Sequence, residues 1–129
     1  MILVPLCVLI SLDQLVKFAV INGGFGYSLN KGLPVVGDIS VSGLFYFIIS
    51  TILILLFYFI RRTIKVNIDF PIALILSGVI SNLIDRLARG GVVDYISLKV
   101  WPSFNLSDAL IVIGIILFMI KVLLNNPKK

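Results

Sequence analysis

From Val41 to Ile60 the chain runs without a single charged residue: VSGLFYFIISTILILLFYFI. As a helix, at about 1.5 Å of rise per residue, such a run covers about 30 Å, the hydrocarbon thickness of a bilayer. Lipid offers no water to backbone amides, so a segment of this kind must close its hydrogen bonds on itself. The run stops at Arg61, Arg62 and Lys65, a compact basic cluster that reads as cytoplasmic. Three other stretches, residues 1–21, 70–88 and 105–124, are apolar over similar lengths. The expected fold is therefore an all-α integral membrane protein, one domain over residues 1–129. It is a four-transmembrane-helix bundle with helices at about 1–21, 41–60, 70–88 and 105–124 and a short extramembrane β-hairpin-like loop. Both termini then share the cytoplasmic side with Arg61 and Arg62, and the other two loops lie outside.

Composition narrows the chemistry. The chain is 60% hydrophobic with a mean hydropathy of +1.16, where a soluble domain is roughly half apolar. Its net charge of +5 comes from basic residues scattered at the ends of apolar runs, which points to anionic membrane lipids and not to nucleic acid. There is no His, no Glu and one Cys, Cys7. That excludes a zinc protease of the H-E-x-x-H type and a Ser-His-Asp arrangement, and no metal or cofactor is expected. Cys7 reads as helix packing, since no base is present to activate it. Asp, Lys, Ser, Tyr and backbone groups are what remains for catalysis.

Ionisable residues at membrane depth are costly and mark function. Asp13 and Lys17 stand at i and i+4 in the first run, so they can pair on one face. The Gly-rich loop Asn22–Ser40 suggests a short hairpin of Phe25–Leu29 with Leu33–Val36 around Asn30-Lys31-Gly32. Asn82, Asp85 and Arg86 share a helical face, and Arg86 suits the negative end of that helix. Asp94 follows a Gly90-Gly91 break. Asn105 can cap the last helix with Asp108 at N3, a capping-box spacing with Asp in place of Glu or Gln. Taken singly, the Asp13–Lys17 pair, the Asp85–Arg86 helix end and the helix-opening Asp108 each admit a structural explanation. On the four-helix topology, however, Asp13, Lys17, Asn22, Asp85, Arg86, Asp94, Asn105 and Asp108 all fall near one face of the bilayer. Two carboxylates close together and poorly solvated share one proton. The ionised one can activate water while the protonated one polarises a carbonyl.

Four blocks in order resemble lipoprotein signal peptidase (signal peptidase II), the bacterial intramembrane aspartyl protease family. They are Asp13-Gln14-x-x-Lys17; Asn22-x-Gly24-x-x-Tyr27-Ser28; Asn82-x-x-Asp85-Arg86 leading to Val93-Asp94-Tyr95; and Phe104-Asn105-x-x-Asp108. The resemblance implies a catalytic pair at Asp94 and Asp108. It also implies substrate contacts from Asn82, Arg86, Asn105, Asn22 and Gly24, with Asp13, Lys17 and Asp85 in support. It further implies a monomer in the bacterial plasma (inner) membrane, with the site near the outer, periplasmic face. The expected substrate is a diacylglyceryl-modified prolipoprotein cleaved before its lipidated cysteine. Two features depart from the family pattern: the segment between Lys17 and Asn22 is short, and Ser107 stands where Ala is usual. The rival expectations are a non-catalytic, shortened relative that binds lipidated peptides and a small four-helix transporter. A transporter of that kind typically relies on a membrane Glu, which this chain lacks.

Overall fold

The computed structural model describes residues 2–31, 67–98 and 100–124. The run Val41–Ile60, the cluster Arg61, Arg62 and Lys65, and the hairpin arm Leu33–Val36 lie outside the described residues. Three helices carry the described fold: α1 (Leu3–Asn22), α2 (Asp69–Arg89) and α3 (Leu106–Leu124). Each is long and apolar enough to cross a membrane. Their limits fall within two residues of the expected ones.

Contacts and strand pairing fix the helix directions. Gln14 and Lys17 of α1 bond Ser81 and Asn82 of α2. The segments that follow the two helices, Ser28–Asn30 and Val92–Asp94, pair with each other, so α1 and α2 end on the same side and run the same way. Helix α3 runs against α2, because Gly78 abuts Ser107 and Gly114 abuts Pro71 and Ile75. The two glycines permit this close approach. An added Cβ at Gly114 would lie 2.7 Å from Ile75 Cγ1 and 2.8 Å from the Pro71 carbonyl, and one at Gly78 would collide with the Ser107 carbonyl. Small residues at a helix crossing are the membrane's substitute for the hydrophobic effect, since lipid is as apolar as leucine. Helix α1 is polar inside and apolar outside. Its buried residues are Asp13 and Lys17, whereas Leu3, Leu12, Leu15 and Phe18 are exposed.

Helix α2 ends at Gly90, whose φ of 72° is left-handed and whose N–H bonds the Arg86 carbonyl at 3.1 Å. Glycine is the residue for that cap. The chain then forms β2 (Val92–Asp94), which pairs antiparallel with β1 (Ser28–Asn30), Ser28 opposite Asp94 and Asn30 opposite Val92. A second ribbon joins β3 (Ile96–Leu98) to β4 (Trp101–Phe104). One expectation changes here and one long-range pairing is new. Among the described residues, the first loop's strand pairs with β2, far along the chain. The stretch from Arg89 to Ser103, read as loop, carries two strands and the start of a third. Gly91 makes the long-range pairing possible, because a Cβ there would stand 2.9 Å from Leu29 Cγ and 3.1 Å from the Asn30 carbonyl.

Candidate active site

At the end of the bundle where α1 and α2 finish and α3 begins, the polar residues form one hydrogen-bonded set. Lys17 is fully buried, its ammonium 2.7 Å from Asp13 Oδ2, 2.8 Å from Asp85 Oδ2 and 3.0 Å from Asn82 Oδ1. A lone buried charge costs several kcal/mol; three acceptors in contact offset that here. Asp13 does more than pair with Lys17. Its Oδ2 accepts the Ser81 hydroxyl at 2.6 Å and its Oδ1 accepts the Ser107 backbone N–H at 3.1 Å, tying α1 to the first turn of α3. Asp85 accepts Gln14 Nε2 at 2.9 Å, an Arg89 guanidinium N–H and the Val93 backbone N–H at 3.1 Å. Through that last bond α2 fixes the path of β2.

Asn82 passes this network to Asp108. Its carbonyl oxygen faces Lys17, and its amide donates to Asp108 Oδ1 at 2.8 Å. Asp108 in turn forms the reciprocal cap anticipated with Asn105. The Asp108 N–H donates to Asn105 Oδ1 at 3.0 Å, and the Asn105 N–H donates to Asp108 Oδ2 at 3.1 Å. The same Asn105 donates from its side-chain amide to Asp94 Oδ1 at 2.7 Å. Asn30 of β1 donates to Asp94 Oδ2 at 3.1 Å. Asp94 and Asp108, fourteen residues apart in sequence, thus share one residue that bonds both.

Asp94 is buried, at 2% exposure. That burial, the largest influence, pushes its carboxyl above the ordinary carboxylate range. The amides of Asn30 and then Asn105 pull it back, the Asp108 charge pushes it up, and Lys17 lowers it. Next to it, the Tyr95 hydroxyl accepts the Leu106 backbone N–H at 3.2 Å, and the Tyr95 N–H reaches the Phe104 carbonyl at 3.2 Å. The exit of β2 is thereby stapled to the start of α3.

Of the expected site residues, Asp13, Lys17, Asn82, Asp85, Asp94, Asn105 and Asp108 come together. Arg86 lies beside them, with Nη1 3.3 Å from the Asn82 carbonyl of its own helix. Asn22 and Gly24 stand outside the hydrogen-bonded set. Asn22 Nδ2 donates back to the Phe18 carbonyl at 2.8 Å, and Gly24 turns the chain with a φ of 69°. Gln14, quoted in the first motif block, belongs to the set as well, and Ser81, Arg89 and Asn30 join it without having been expected there. Ser81, Asp85 and Arg89 follow one another at intervals of four, a polar stripe legible in the sequence; Asn30 carries no such signal. Among the described residues, no group of three or more His, Cys, Asp or Glu side chains is placed to hold a metal ion.

Residues 6–124 match the family described as signal peptidase (SPase) II. The lipoprotein signal peptidase of Halothermothrix orenii is 29% identical over 138 residues, covering 93% of each chain. That of Borrelia duttonii is 40% identical over 119 residues, covering 83% of this chain and 66% of the relative. A solved structure described as a bacterial membrane enzyme, obtained by the in meso method, superposes with a TM-score of 0.77 at 27% identity, covering 99% of this chain and 92% of the other. The apolar spans, the polar bundle end and these likenesses agree: the chain belongs to the signal peptidase II family.

Proposed function

We propose that this chain is an aspartyl endopeptidase whose reacting pair is Asp94 and Asp108. Its substrate is a diacylglyceryl-modified prolipoprotein, from which it removes the signal peptide by cutting before the lipidated cysteine. The observation that carries the reading is the double bond-sharing of Asn105, which joins the two carboxyl groups.

The surroundings suggest different roles for the two. Asp108 sits in the first turn of α3, where backbone N–H groups and the helix dipole favour a negative charge, and it accepts N–H bonds on both oxygens. It is the ionised member and general base. Asp94, buried and pushed upward, holds the proton. In cleavage, Asp108 takes a proton from water as the water oxygen attacks the scissile carbonyl, and Asp94 gives its proton to the carbonyl oxygen. Collapse of the tetrahedral gem-diol breaks the C–N bond as the leaving amine takes up the proton held by Asp108 and one of the two hydroxyls returns its proton to Asp94, which restores both carboxyl groups. Asn82, Arg86, Asn105, Asn22 and Gly24 are the proposed substrate contacts. Asp13, Lys17 and Asp85 hold the helices that present the pair.

Parallel α1 and α2 also bear on topology. Helix α1 leaves at the site end, and Lys121 of α3 meets Asn67, just before α2, at the other end. A return across the bilayer between them suits the uncharged run Val41–Ile60 and supports four spans. The protein is proposed to act as a monomer in the bacterial plasma membrane, its site at the outer face and its apolar flanks against lipid. Incubation of the purified chain with a synthetic prolipoprotein in detergent tests the proposal. Cleavage at the residue before the lipidated cysteine is expected. Binding of the substrate without cleavage would contradict it.

A further inference from the structure

We infer that Asn30 is a positioning residue for the reaction, orienting the Asp94 carboxyl from β1 and so coupling the docking of the first extramembrane loop to the reacting pair. The inference rests on the reading of Asp94 as one of that pair. A carboxyl held at one oxygen can still swing about its last side-chain torsion, which is broad and soft. Asp94 is held at both: Oδ1 by Asn105 at 2.7 Å and Oδ2 by Asn30 at 3.1 Å. The two donors come from different parts of the fold, Asn105 from the cap of α3 and Asn30 from a strand of the loop after α1.

What seats that strand is also specific. Ser28 to Asn30 pair with Asp94 to Val92, and Ser28 Oγ lies 2.7 Å from Ser103 Oγ and 3.4 Å from the Asp94 carbonyl. Gly91 lets the β1 backbone approach. When β1 is seated, Asp94 is therefore fixed at both oxygens, and when β1 lifts it loses one of the two. An exposed strand asparagine with no such task would bond water or a neighbouring strand, not a buried carboxyl. The amide also opposes the burial that favours the protonated form of Asp94, so its loss has a direction. The proton is held more tightly, and the alkaline limb of the activity profile moves to higher pH.

The experiment compares the full chain with Asn30→Ala, Leu29→Ala and Asp94→Asn, reading kcat, KM and the pH profile on a lipidated peptide in detergent. Asn30→Ala is expected to lower kcat by about tenfold to a hundredfold, the scale of misplacing a reacting group, with the alkaline limb moved upward. Leu29→Ala weakens the seating of β1 on Gly91 without removing the donor. It is expected to lower kcat and move that limb in the same direction as Asn30→Ala but by less, because β1 is seated for less of the time; a limb left in place would overturn the coupling to the loop. Parent kcat and parent pH profile in Asn30→Ala, with Asp94→Asn inactive, would overturn the positioning role alone. Parent activity in Asp94→Asn would instead overturn the assignment of the pair.

Discussion

The side-chain amide of Asn105 lies 2.7 Å from Oδ1 of Asp94, while the rest of Asn105 is committed to the helix cap with Asp108. Cap and bridge can be separated. Serine caps helices about as well as asparagine but has no amide to reach Asp94. Asn105→Ser should melt within about 1 kcal/mol of the parent and lose most of its turnover. Asn105→Ala should lose both. If Asn105→Ser cleaves at the parent rate, the bridge is not what sets the geometry of the pair.

Lys17 is the structural centre of the network. Lys17→Met removes the ammonium and leaves Asp13 and Asp85 buried without their shared cation. Removing one partner of a buried ion pair costs about 3–5 kcal/mol, so a large fall in thermal stability is expected in detergent. Asp13→Asn keeps one acceptor oxygen, for either the Ser81 hydroxyl or the Ser107 N–H, and leaves Lys17 its contacts with Asp85 and Asn82, so it should lose less. Equal melting of Lys17→Met and the parent would show that the three contacts contribute little.

The approach of α2 to α3 gives a third expectation. In Gly78→Ala the new methyl meets the Ser107 backbone, which cannot move without displacing the helix turn that carries Asp108. Overpacking of this kind costs about 1–3 kcal/mol. Cleavage should drop further than stability, because the displaced turn holds Asp108, a member of the proposed pair. Thermal melts and initial rates on the same preparations distinguish the two effects.

Asp94 also makes stability depend on pH. Its carboxyl is raised in the folded chain, so the folded state binds that proton more tightly than the unfolded one. The stabilisation is fully present below the unfolded value of about 3.9 and is lost as pH rises through the raised folded value. Melting should therefore fall across that window in the parent and lose this slope in Asp94→Asn. A slope of the opposite sign, once the other carboxylates are held constant, would mean Asp94 is ionised in the fold.

Much of this architecture was legible in the sequence because membranes impose simple rules. The limits of α1, α2 and α3 follow from apolar length, the Asp13–Lys17 pair from i,i+4 spacing, and the Asn105–Asp108 cap from its four-residue box. The strand pairings were not legible. The expected arm Phe25–Leu29 overlaps β1 (Ser28–Asn30), but β2 lies more than sixty residues away, beyond the reach of local turn chemistry. Asn30 escaped for the same reason, since its role exists only after β1 reaches β2. Arg89 stands four residues after Asp85, but its bond to Gln14 exists only once α1 lies against α2.

The assignment of the pair meets its strictest test in isosteric exchange. Asparagine fills the space of aspartate but can be neither a general base nor a carboxylic acid. Asp94→Asn, Asp108→Asn and the double variant should each bind lipidated substrate nearly as the parent does. Each should lose cleavage, with the double variant little worse than either single one, because residues acting as a unit are strongly non-additive. Asp85→Asn should keep measurable turnover or fail by misfolding. Initial rates of signal-peptide release at matched enzyme concentration decide it: no detectable cleavage in both single variants is the expected result, and near-parent cleavage in either contradicts the aspartyl mechanism.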